Sequence, residues 1–111
     1  MIHIITDQAR PEQMEQMLES LQAYIKLAID VKRRVIAGGG ALHADCEEAL
    51  VEDGSHPNDV WGADWYPESQ EVQFESLINI RPNLGNRSMA ITDPKLRATI
   101  TAIVRERFGV T

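Results

Sequence analysis

Apolar residues recur along this chain with two periods, and the switches between them mark its elements. Ile2, Ile4 and Ile5 form a short apolar run suited to a strand. Met14, Met17, Leu18 and Leu21 then recur at helical spacing, with Glu12, Glu15, Gln16 and Glu19 on the opposite side. Pro11 falls in the first turn of that helix, where its missing N–H costs nothing. The period changes to alternation at Ile25, Leu27, Ile29 and Val31, which predicts a half-buried strand. Lys32-Arg33 reads as a turn and Arg34 to Ala37 as the returning strand, so that Ile29 faces Ile36. The turn lacks the glycine or asparagine that short hairpins favour.

Gly38, Gly39 and Gly40 follow. Successive glycines lose much backbone entropy on folding, so the chain needs their geometry or their lack of side chains. The run serves either as a bend or close backbone crossing, or as a loop whose N–H groups cradle an anion. No Lys-Ser/Thr pair follows it, which excludes a phosphate-binding P-loop. Asp45 and Glu48 have the spacing of a capping box and predict a helix opening at Asp45. Leu42, Cys46, Ala49 and Leu50 supply its apolar stripe and Gly54 its end.

Val60–Tyr66 and Glu71–Arg81 read as paired strands around the turn Pro67–Gln70, with Trp65 opposite Val72. Trp61, Ala63, Trp65, Val72, Phe74, Ile78 and Ile80 then share one face, and Asp64, Gln73, Glu75, Asn79 and Arg81 the other. Met89–Ile91 suits a brief strand. Asp93-Pro94 opens a last helix whose core stripe is Leu96, Ile100, Ile103 and Val104, closed by Gly109. The expected fold is α+β: an antiparallel sheet of four to five strands with two to three helices, in the order β-α-β-β-α-β-β-α. The helices pack over one face, those at 11–22 and 94–107 covering Trp61 and Phe74, and residues 1–111 form a single globular domain.

Composition narrows the classes. With 43% hydrophobic and 25% charged residues, the chain is too apolar for disorder at its net charge of −6. That acidic balance repels phosphate backbones, so nucleic acid is not an expected partner. Lys32-Arg33-Arg34 is a basic run short enough to be a solvated turn. One cysteine cannot form an internal disulfide, and Met1–Asp7 lacks the basic leader and long apolar core of a signal peptide. No apolar stretch is long enough to span a membrane. The expectation is a soluble, acidic, cytoplasmic protein.

Several segments together resemble a known family. They are Ala37 to Asp45, Glu52 to Ser55, Val60 to Asp64, and Ser76 to Pro82 with Gly85 to Met89. In this order, over nearly the whole chain, they resemble an uncharacterised bacterial family frequent in cyanobacteria, domain of unknown function 5674. The family pattern places an acidic residue at Ala41 and a small apolar one at Cys46, which implies that Cys46 is a poor catalytic candidate. The resemblance supplies no activity and no mechanism.

Two functions remain compatible with these residues. In a non-enzymatic binding or assembly module, Arg81 and Arg87 offer donor forks to a small anionic ligand or an acidic protein segment, and Asn79, Asn86 and Ser88 add neutral hydrogen bonds. In a small metal-dependent or acid–base enzyme, His43, Asp45 and Asp64 are the catalytic candidates, with Asp53 or Asp59 as further carboxylates. No His-Glu-x-x-His or paired Cys-x-x-Cys is present, so no metal ligand set and no cofactor is assigned. Trp61 and Trp65 on one strand face suit a core, with a homo-oligomer surface as the alternative. The two functions separate by geometry: an enzyme needs His43 and a carboxylate at one cavity, and a binding loop needs its arginines free.

Overall fold

The alternation and helical stripes fold as the order β-α-β-β-α-β-β-α. A computed structural model describes residues 1–109. The elements are β1 (His3–Ile5), α1 (Pro11–Leu18), β2 (Ile25–Asp30), β3 (Val35–Gly38), α2 (His43–Glu52), β4 (Val60–Tyr66), β5 (Glu71–Gln73) and α3 (Pro94–Phe108). The strands form one five-stranded antiparallel sheet in the order β1-β3-β2-β4-β5. Among the described residues no helix is long and apolar enough to cross a membrane.

The central strand β2 is covered on both sides. Ile25, Leu27 and Ile29 point into the larger core, where they meet Met17, Trp61, Trp65, Ile100, Ile103 and Val104. This is the face that α1 and α3 cover, as expected. The third helix corrects the one-face layout. Cys46 and Leu50 of α2 pack on Ala28, Val35, Ala37 and Val60, on the opposite face. The small side chains Ala28 and Ala37 let that helix sit down on the sheet, and they carry too little apolar area to announce a second core.

Ile29 faces Ile36, as the alternation requires. The loop between β2 and β3 is longer than a two-residue turn, because the ladder ends at Asp30–Val35. Asp30 supplies what glycine or asparagine would have. Its Oδ1 accepts the N–H groups of Lys32 and Arg33, both at 2.9 Å, and Arg34 takes the left-handed conformation at φ 59°. Gly39 then bends at φ 103°, and a Cβ there would lie 2.2 Å from the Met1 carbonyl oxygen and 2.9 Å from Met17 Cα. The glycine run is therefore a place of close backbone approach, where the N-terminus and α1 cross the end of β3.

The expected start of α2 is corrected as well. The helix opens at His43, not at Asp45, with Leu42 in the N-cap position offering no side-chain acceptor. Asp45 lies in the first turn, where its charge still meets the positive end of the helix dipole. The C-terminus matches a Schellman cap: the Ser55 N–H donates to the Leu50 carbonyl at 2.9 Å, and Gly54 N–H to Val51 at 3.1 Å.

The β4–β5 hairpin has Trp65 opposite Val72, but β5 stops at Gln73 instead of continuing to Arg81. Asn79 is the cause. Its Oδ1 accepts from Gly62 N–H at 2.8 Å, and its Nδ2 lies within bonding distance of the carbonyls of Gly62 (3.0 Å), Met89 (3.1 Å) and Phe74 (3.2 Å). A side-chain amide thus takes the place of strand backbone beside β4. Residues Leu77–Asn79 curl into a 3-10 turn, and Ile80 leaves the face it was expected to share with Trp61, being 43% exposed. Glu75 and Ala90 make an isolated bridge where Met89–Ile91 was expected to be a strand.

Candidate functional site

The polar loop after Asn79 uses most of its side chains on itself. Arg81 donates from Nε to the Ile78 carbonyl at 2.9 Å, from Nη1 to the Pro57 carbonyl, and from Nη2 to Glu47 Oε2 at 2.6 Å. Its guanidinium also stacks 5.3 Å from the centre of the Trp61 ring. Asn86 is buried. Its Nδ2 reaches the carbonyls of Asn79, Ala90 and Ser88, and its Oδ1 accepts from the N–H and the hydroxyl of Thr92. The Ser88 hydroxyl donates to the Ala90 carbonyl at 2.8 Å. Asn79 is engaged with backbone as described. Arg87 differs: it is exposed and has no hydrogen-bond or ion-pair partner within the described residues.

The other charged candidates are scattered. Asp45 is exposed on α2, and Asp53 pairs with Arg33 at 2.8 Å. Arg34 pairs with Glu106 at 2.7 Å, so the basic turn is largely neutralised; this hydrogen bond in turn lowers the Glu106 carboxyl. Asp59 ends the short 3-10 turn Pro57–Asp59. Among the described residues no three His, Cys, Asp or Glu side chains converge as a metal site would require. Cys46 is buried, and its burial pushes the thiol from 9.0 to about 11, far from a reactive thiolate.

His43 and Asp64 are brought together. The early start of α2 places His43 in its first turn, above β4, where His43 Nε2 lies 2.8 Å from Asp64 Oδ1 and 3.1 Å from the Ala63 carbonyl oxygen. The side chains are 11% and 12% exposed. A carboxylate and a carbonyl both only accept, so Nε2 must carry the proton. The neutral ring is thereby set as the Nε2–H tautomer, with the lone pair on Nδ1. Nδ1 bonds to nothing within the described residues, yet it is not among the polar atoms sealed from solvent.

The sheet builds the floor beneath this pair. Cross-strand pairing aligns Lys26 of β2, Asp64 of β4 and Gln73 of β5 in one row. These residues lie on the face that carries α2, beyond the part the helix covers. Tyr24 and Tyr66 stack beside the row, with ring centroids 5.0 Å apart and planes inclined by 11°. Burial, and after it the neighbouring Asp64 and Tyr24, raises the Tyr66 hydroxyl above its usual range. Above the floor opens a cavity of about 440 Å³, walled by Ser76, Ile78 and the N-terminal turn of α2. Leu42, Leu77 and Met89 form its rim and are 57%, 71% and 43% exposed. A second cleft of the same volume, between α1 and the end of α3, is lined by Met14, Trp65 and Phe108 and holds no titratable side chain.

Lys26 is the charged member of this site that alternation alone left unnoticed. Lys26 looks like the solvated side of a half-buried strand. Only the β2–β4 pairing puts it beside Asp64.

A five-stranded antiparallel sheet with α2 on one face and α1 and α3 on the other, carrying a histidine–carboxylate pair in an open cleft, defines an α+β protein with a chemically equipped pocket. Its motifs have a wider counterpart: the chain belongs to the DUF5674 family of proteins of unknown function, whose model matches residues 3–107. No curated protein and no solved structure matches the chain.

Proposed function

We propose that the protein binds a small molecule in the cleft between α2 and the sheet and moves a proton there, with His43 as the acid–base group. The observation that carries this is the bond from His43 Nε2 to Asp64 Oδ1, which leaves the Nδ1 lone pair without a partner among the described residues, on a histidine that lines the cavity. Nδ1 takes a proton from the bound molecule or from a water. Asp64 holds the ring in place and supplies the countercharge to the imidazolium that forms. A volume of about 440 Å³ with apolar walls and a few converging polar groups fits a small-molecule site. A reducing, cytoplasmic setting suits the single cysteine, which has no internal disulfide partner.

A binding function for the polar loop would rest on Arg87 alone, since Arg81, Asn79, Asn86 and Ser88 are occupied by backbone carbonyls or Glu47. The test of the proton-transfer function is deuterium uptake from solvent into a set of small carbonyl compounds, followed by proton NMR. Protein-dependent exchange that His43→Gln removes is the expected result. Equal exchange in wild type and His43→Gln would contradict it.

A further inference from the structure

We propose that the cleft takes a small organic carboxylate with an apolar body, and that Lys26 is its anchor. This rests on the cleft being the functional site and names the class of molecule that fills it.

The cations of this chain divide by exposure. Eight of the eleven are exposed; Lys26, Arg81 and Arg107 are half-buried. A half-buried lysine or arginine lays its stem along the protein and holds its charge at a fixed place, where it meets either a protein acceptor or whatever solvent brings. Arg81 has Glu47, and Arg107 has Glu106 and the Arg34 carbonyl. Lys26 has no hydrogen-bond or ion-pair partner within the described residues, although Asp64 is its direct cross-strand neighbour. That carboxylate is turned to His43 at 2.8 Å. The ammonium is left for something that enters the cleft it lines.

The chemistry of the entrant follows from the walls. A single ammonium, without an arginine fork, matches a monoanion. Asp64 and Glu75 border the same cavity, and their charges oppose a dianion such as a phosphate ester. Glu75 is itself exposed and solvated, so it does not serve as the countercharge that Lys26 lacks. Leu42, Ile78 and Met89 line the same cavity with apolar surface, and Leu42 and Met89 stand exposed to solvent. A carboxylate on Lys26 with its hydrocarbon part against these residues pairs the one ammonium that lines the cleft and covers its exposed apolar side chains.

The test is an amide-resolved NMR titration of wild type and Lys26→Gln. The probes are phenylacetate and 4-methylpentanoate, their neutral amides, and phenyl phosphate. The acids are expected to shift resonances of Lys26, Leu42 and Ile78. The amides, and the acids on Lys26→Gln, should bind about tenfold more weakly, the worth of one charge-assisted hydrogen bond. Acids and amides binding alike, no effect of Lys26→Gln, or a phosphate ester binding more tightly than the acids would each overturn the carboxylate assignment while leaving the cleft as a binding site. If none of these probes perturbed the cleft, both the assignment and the small-molecule site would fall.

Discussion

Replacing Asn79 by alanine removes the device that turns the chain away from β4 and builds the wall of the cleft. The buried amide accepts one backbone N–H and faces three backbone carbonyls, at 2.8 to 3.2 Å. Alanine leaves the Gly62 N–H and carbonyl without partners in a place closed to water, because Ser76 passes directly over Gly62: a Cβ on Gly62 would lie 2.7 Å from Ser76 Cβ. Two orphaned backbone groups at about 1–3 kcal/mol each give a loss of roughly 2–6 kcal/mol. That is a large share of the roughly 5–15 kcal/mol available to a chain of this kind. With a urea m-value of about 1.5 kcal/mol/M, the midpoint falls by roughly 1–4 M. Urea unfolding followed by tryptophan fluorescence reads this directly, since Trp61 and Trp65 flank Gly62. Asn79→Asp is expected to lose at least as much, because it retains the acceptor but turns a charge toward carbonyl oxygens. A loss below about 1 kcal/mol for Asn79→Ala would refute the idea that this side chain substitutes for a strand.

Further consequences follow from single residues. The raised Cys46 thiol makes the folded state hold its proton where the unfolded chain releases it, so its contribution is complete below pH 9.0 and is lost as pH rises toward about 11. A gap of about two pH units corresponds to roughly 2–3 kcal/mol, seen as a steeper alkaline fall in urea stability for wild type than for Cys46→Ala; parallel curves would contradict it. Gly39→Ala meets backbone on two sides as well as an unfavourable φ, and should cost more than about 3 kcal/mol. Gly54→Ala has a similar φ of 106° and no atom within 4 Å, so about 1–2 kcal/mol is expected. Equal losses at the two glycines in thermal unfolding would show that crowding at Gly39 is relieved.

Much of the fold could be read from the chain because its signals are local. Ile29 meets Ile36 and Trp65 meets Val72 because strict alternation runs into a turn of definite length. Pro11, Asp93-Pro94 and Gly54 act within one helical turn of where they stand. What escaped was non-local or disguised. Ile78 and Ile80 keep the rhythm of a strand, and nothing nearby in sequence warns that Asn79 between them will bond across to Gly62. The second core under α2 is built from alanines, a valine pair, a cysteine and a leucine, whose stripe is weak. His43 and Asp64 were each recognisable as chemistry-bearing, but they are 21 residues apart and meet only because α2 starts early and lies across β4. Lys26 joins them through a strand pairing that no local pattern encodes.

The central claim is that Asp64 sets His43 as an acid–base group with an unprotonated Nδ1. The most direct measurement is a long-range proton–nitrogen correlation spectrum of the histidine rings, in wild type and in Asp64→Asn, assigned with His43→Gln. The neutral His43 ring should show a protonated Nε2 and an unprotonated Nδ1, and Asp64→Asn should loosen that preference into a tautomer mixture. A wild-type ring protonated on Nδ1, or a tautomer unchanged by Asp64→Asn, would contradict the account.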